Sequence, residues 1–152
     1  MAYVNKVSVT DEQVISKAIE IIEKRFADGP LFTSSSDAKD YLKCRLGTKD
    51  HEVFAVMFLD NQHSLIEYKE MFTGTIDAAT VYPREVAKRA LLKNAAAVVL
   101  AHNHPSGISE PSLADKQITQ RIIKGLALID IKVLDHIIIA KESLSFAESG
   151  LL

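Results

Sequence analysis

Two histidines one residue apart, His102 and His104, follow the apolar run Ala95–Ala101 and precede Pro105 and Gly107. Such a run, closed by turn residues, reads as a fully buried strand. On a strand, residues i and i+2 project to the same side, so both imidazoles can reach one ion. Pro111-Ser112-Leu113-Ala114-Asp115 then opens what reads as a helix, and a carboxylate in its first turn can be aimed back at the strand end. His102, His104 and Asp115 together supply two neutral nitrogens and one anionic oxygen. That set suits zinc, one ion per chain, and three protein ligands leave a fourth position open for water, as in catalytic rather than structural sites.

A second account of the same residues competes with this one. Ser112-x-x-Asp115 ahead of Ile118, Ile122, Ile123 and Leu126 is a helix-capping signature, with Ser112 as N-cap and Asp115 at the third helical position. Capping explains both residues without a metal, although one carboxylate can serve both roles. A base for the chemistry is available in Glu52, which leads the nearly continuous apolar stretch Val53–Leu59, a strand buried on both faces. Glu52 could equally be the solvated end of that strand. With a metal present, bound water ionises near neutral pH; Glu52 would take its proton and deliver it to a leaving amine, and the Ser112 hydroxyl would stabilise the oxyanion.

Glu52, His102-x-His104, seven intervening residues, Ser112, two more and Asp115 resemble the JAMM (MPN-plus) metalloprotease motif. Within that superfamily, Phe72–Asp77, Pro83–Val86, Asn94–Val98, His102–Gly107 and Ser145–Glu148 look like the RadC family, and the resemblance covers roughly residues 30 to 152. It implies a JAMM/cytidine-deaminase-like sandwich, zinc, and cleavage of an amide or isopeptide bond in a protein or peptide substrate. Members called DNA repair proteins often carry an N-terminal helix-hairpin-helix module; the residues ahead of position 31 show no such hairpin glycines. Two other classes stay open: a nucleic-acid-processing factor whose metal activates water against a phosphodiester, and a metal-binding scaffold without catalysis.

The composition suits a small soluble enzyme. A chain of 152 residues, 47% hydrophobic and 25% charged, is long enough for one domain with a real core. Its formal charge of -2 and pI near 6.2 leave no basic footprint of the kind nucleic-acid binding requires. No apolar run approaches the roughly 18 residues of a membrane span, and the N-terminus lacks a signal pattern, so the cytoplasm is the default compartment. Cys44 is the only cysteine, which excludes an internal disulfide and reads as a bystander thiol. Self-association into a homo-oligomer is left open.

The elements that must position the site follow the expected order helix, helix, strand, strand, helix, strand, helix, strand, an α/β domain with a mixed sheet between helices. Residues 1–30 form a helical extension and 31–152 the globular domain. The first helix starts at Thr10 with Gln13, turns Val14, Ile15, Ala18, Ile19, Ile22 and Phe26 inward, and stops at Asp28-Gly29-Pro30. Its stripe could serve a partner, but packing on the domain is the usual fate. The second is capped within Ser34–Asp37 and buries Ala38, Tyr41, Leu42 and Leu46. Asp60-Asn61-Gln62 joins the Glu52–Leu59 strand to a less buried partner over 64–72. The third helix begins near Pro83 and runs to Asn94, with Val86, Ala87, Ala90 and Leu91 inward and Arg84, Lys88, Arg89 and Lys93 on the opposite side. The Ser112 helix stops at Gly125, Ile131–Ala140 is a buried strand, and 144–147 add a short one. His136, inside that strand, reads as a hydrogen-bonded core residue, while His51 and His63 read as exposed.

Overall fold

The computed structural model describes residues 8–28, 35–75 and 80–152. Helices α1 (Asp11–Asp28) and α2 (Ser35–Leu46) precede strands β1 (Val53–Leu59) and β2 (Leu65–Thr73). Helix α3 (Pro83–Leu92), strand β3 (Ala97–Asn103), helix α4 (Leu113–Ala127) and strands β4 (Lys132–Ile139) and β5 (Leu144–Ser145) follow. The sheet order is β2-β1-β3-β4-β5, with only β3 and β4 parallel, so the sheet is mixed as expected. Helix α4 makes the β3-to-β4 crossover that parallel neighbours need. The expected stop at Gly29-Pro30, the boundary at 30/31, Ser34 and part of the Phe72–Asp77 stretch lie outside the described residues.

Alternation in β1 and β3 builds two cores, one on each face of the sheet. Val53, Ala55, Met57 and Leu59 join Ala97, Val99 and Ala101 beneath α2 and Phe26 of α1. Phe54, Val56 and Phe58 join Val98 and Leu100 beneath Val86 and Ala90 of α3 and Ile118, Ile122 and Leu126 of α4. Every residue of β1 and β3 is buried, which is why both read as unbroken apolar runs.

Helix α2 buries the four residues expected of it. Helix α1 begins with a reciprocal cap in which the Thr10 hydroxyl accepts from Gln13 N (3.2 Å) and the Gln13 amide from Thr10 N (2.9 Å). Val14, expected inward, is 56% exposed, because burial grows toward the far end of α1, where Phe26 enters the core and Glu23 accepts from Tyr41 (2.6 Å). Leu91 is likewise 60% exposed, since it lies about 100° around α3 from Ala90. Arg89 and Lys93 do not form a free basic face with Arg84 and Lys88; both reach across to Glu67 of β2. His63, expected exposed, is half-buried with a positive φ of 64° in the β1–β2 turn.

Helix α4 does not stop at Gly125 but runs two residues further. Asp130, at φ 58°, ends it instead, and Ile131 N returns to Leu126 O at 3.0 Å. Asn94 (φ 51°) does the same for α3, with Ala95 N bonded to Ala90 O. Asn and Asp tolerate the left-handed conformation that usually marks glycine, so neither stop carries a glycine signal.

Candidate metal centre

Strand β3 carries His102 at its C-terminal end, and His104 follows one residue past the strand. The turn does not break the ladder at once, because His104 N still donates to Ile139 O of β4 (2.8 Å). Both imidazoles therefore keep the strand alternation and face α4. At that helix's N-terminus Ser112 is the cap residue: its hydroxyl accepts from Asp115 N (3.1 Å), and Asp115 Oδ2 accepts from Ser112 N (2.7 Å). The cap and the site are one structure. The bonds that cap the helix also fix the Asp115 carboxylate, whose other oxygen lies 3.1 Å from His102 Nε2.

The three donor atoms converge. His102 Nε2 and His104 Nε2 are 2.8 Å apart, and His104 Nε2 is 3.5 Å from Asp115 Oδ2. Zinc–ligand bonds of about 2.0–2.1 Å in a tetrahedron put donors roughly 3.3 Å apart, close to the separations among these side-chain atoms. Among the described residues, His102, His104 and Asp115 form the one cluster that could hold a metal ion, and the structure thereby brings together the three residues expected as ligands. The donor set is hard and borderline, without thiolate, which favours zinc over copper(I) or iron–sulfur chemistry.

The three groups are electrostatically coupled. Two imidazole nitrogens at 2.8 Å cannot both present lone pairs unless a proton or a metal sits between them. The hydrogen bond to Asp115 raises the His104 pKa, against its partial burial. Burial works against the Asp115 carboxylate, yet hydrogen bonds from His102 and His104 hold it well below the usual carboxylate range. His104 Nδ1 lies 2.7 Å from Ile108 O, a bond that requires a proton on Nδ1 and leaves Nε2 facing Asp115 and His102.

Glu52 and Ser112 line the same open cleft of about 340 Å³ as His104 and Asp115, with Thr75, Ser106, Ile108 and Glu110 completing it. In the antiparallel β1–β3 pair Phe54 lies opposite His102, so carrying the register two residues further brings Glu52 level with His104. Its backbone is pinned from two sides. Gly74 N donates to Glu52 O (3.0 Å), and Asn103 bonds its neighbours, accepting from Val53 N (2.8 Å) and donating to His51 O (2.9 Å). Sequence reasoning passed over Asn103 and Thr119 and read His136 as a core residue with no link to the triad. Asn103 alternates away from the histidines into the opposite face, and an asparagine between two ligands gives no sign of that. His136 is fully buried as expected, but its Nε2 also lies 2.8 Å from His102 Nδ1. Desolvation drives its pKa well below the usual histidine value, so it is neutral. Cys44 lies on α2, across the sheet from the triad, and His51 is exposed beside Asp50.

The sequence matches the family model described as the RadC-like JAB domain over residues 32–151. It is 56% identical over 142 residues to a UPF0758 protein of Vibrio cholerae serotype O1, covering 93% of this chain and 90% of that relative. It is 54% identical over 140 residues to a UPF0758 protein of Methylibium petroleiphilum, covering 91% of this chain but 63% of that longer relative.

Proposed function

The chain belongs to the RadC-like JAB domain family, and from that premise we propose that it is a zinc-dependent hydrolase that cleaves an amide or isopeptide bond with water. The observation that carries this reading is the convergence of His102 Nε2, His104 Nε2 and an Asp115 carboxylate oxygen at the floor of a cleft that Glu52 and Ser112 also line. The three converging side chains would hold the ion. When bound, zinc acts as a Lewis acid that lowers the pKa of water and polarises a carbonyl.

The remaining work falls to the protein. Glu52, a carboxylate outside the ligand set, accepts the proton of the attacking water and returns it to the departing amine nitrogen. Ser112 gives its lone pair to Asp115 N and keeps its hydroxyl proton free for the oxyanion that develops on the carbonyl oxygen. Asp115 and His104 are held by their own bonds to Ser112 N and Ile108 O, so the ligands are oriented before any substrate arrives. A peptide substrate suits a cleft that is open and lined in part by the exposed apolar side chain of Ile108.

The test combines metal analysis with turnover. Purified protein should carry about one zinc per chain, and His102→Ala and His104→Ala should lose most of it. Glu52→Gln should stay metal-replete while cleavage of a peptide and isopeptide panel falls about 100 to 10,000 fold. Unchanged metal content in both histidine variants, or turnover that survives chelation, would overturn the reading.

A further inference from the structure

His102 is 1% exposed, and its second ring nitrogen points into the protein rather than toward solvent. There it meets His136, and the contacts run on: His136 Nδ1 lies 2.6 Å from Thr119 Oγ1, and Thr119 Oγ1 lies 2.6 Å from Asp115 O. Proton counting gives this chain a direction. A backbone carbonyl only accepts, so the single hydroxyl proton of Thr119 goes to Asp115 O, its neighbour one helical turn earlier. Thr119 then has only lone pairs for His136, which must donate from Nδ1. A neutral imidazole carries one proton, so His136 Nε2 is bare and accepts from His102 Nδ1–H. A proton of His102 is thereby placed on Nδ1, and Nε2 is the nitrogen left facing His104 and Asp115.

From this geometry we infer that Thr119 and His136 are positioning residues of the metal centre: they lock His102 in the one tautomer that can ligate an ion. The inference rests on the metal-site reading above and adds residues to it. The relay closes on itself, since it starts from the carbonyl of Asp115, whose carboxylate meets the same His102 ring. Two backbone features make it. Asp115 and Thr119 are four residues apart on α4, hence stacked on one face. The β3–β4 register shifts between Val98, opposite Val133, and Val99, opposite Asp135. Without that bulge the register would continue to Asp135 opposite Leu100, and Asp135, not His136, would face α4. One extra residue in β4 exchanges them. Asp135 instead lies on the other face, where Ser145 donates to it (2.5 Å) along with Ala147 N (3.0 Å). His136 is further held between the rings of Phe54 and Phe146, at centroid distances of 5.6 and 4.7 Å.

The experiment reads tautomer and affinity separately. Nitrogen-resolved NMR of the chelated wild-type protein should find both His102 and His136 protonated at Nδ1, with His136 bare at Nε2; a His102 ring bare at Nδ1, or a His136 proton on Nε2, would overturn the inference. Zinc titration against a competing chelator should then show Thr119→Val, which keeps the shape and removes the hydroxyl, weakened about 10 to 100 fold. Thr119→Ser should bind as the wild type does. His136→Gln, which can return an acceptor to His102, should bind more tightly than His136→Phe, which cannot. Thr119→Val protein that unfolds at the wild-type denaturant midpoint yet binds zinc with wild-type affinity would also overturn it. If the wild type bound no zinc, the metal-site reading would fall, while the tautomer measurement would still decide whether the relay runs in this direction.

Discussion

Ser112 carries two roles that its bonding makes separable. As acceptor for Asp115 N it caps α4, and as donor from the same oxygen it can serve an oxyanion in the cleft. A lost cap costs about 1 kcal/mol of stability, whereas a lost oxyanion donor raises the barrier by roughly 2.7 to 4 kcal/mol. Ser112→Asp retains an acceptor but no hydroxyl donor, so its denaturant midpoint should hold while turnover falls by two to three orders of magnitude. Ser112→Ala should lose both. Near-normal turnover in the two variants would leave the serine as a cap alone. Ser112→Ala should also loosen the zinc site, because the serine turn holds Asp115 where it meets His102.

At the scale of elements, α4 is where the fold and the site share parts: its first turn supplies Asp115, its second supplies Thr119, and Ile118, Ile122 and Leu126 fasten it to the sheet. Gly125 is its weak point. It lies inside the helix with ordinary helical φ, and a Cβ there would meet Pro83 of α3 at 3.9 Å, a normal contact. Glycine is therefore not needed for clearance. Gly125→Ala should stabilise the protein by about 0.4 to 1 kcal/mol through the unfolded chain, read as a raised urea midpoint at unchanged slope. A lowered midpoint would mean that α3 and α4 approach more closely than this. Gly125 lies ten residues from Asp115, so zinc affinity should not move.

For the whole molecule, an ion held by His102, His104 and Asp115 would tie the end of β3 to the start of α4. An ion that binds only the folded chain stabilises it by about 2.7 kcal/mol at a hundred times its dissociation constant. For a chain of this size that is worth roughly 5 to 10 °C in melting temperature, at about 2 to 4 °C per kcal/mol. Zinc should produce that rise, a chelator should reverse it, and His104→Ala should abolish it. Cys44→Ser should respond to zinc as the wild type does, since α2 lies on the far face of the sheet. A melting temperature indifferent to zinc in the wild type would argue against a folded-state site. No helix among the described residues is long and apolar enough to cross a membrane.

The candidate ligands and the α/β order were legible in the sequence because both depend on short-range rules. His102 and His104 announce themselves by strand alternation, Ser112 and Asp115 by cap spacing, and β1 and β3 by unbroken apolar runs. Whether Asp115 caps or ligates was not decidable there, since both roles ask for the same residue at the same place; the structure has it doing the first and poised for the second. His136 was the residue that spacing could not assign. Its distance from His102 is 34 positions in the chain and 2.8 Å in space, and the β4 bulge that turns it toward α4 leaves no mark on periodicity. Helix ends were misjudged for a related reason: Asp130 took the left-handed turn that glycine was expected to mark. Local pattern fixes which elements form and what each presents, whereas register and face depend on pairing between strands that lie far apart in the chain.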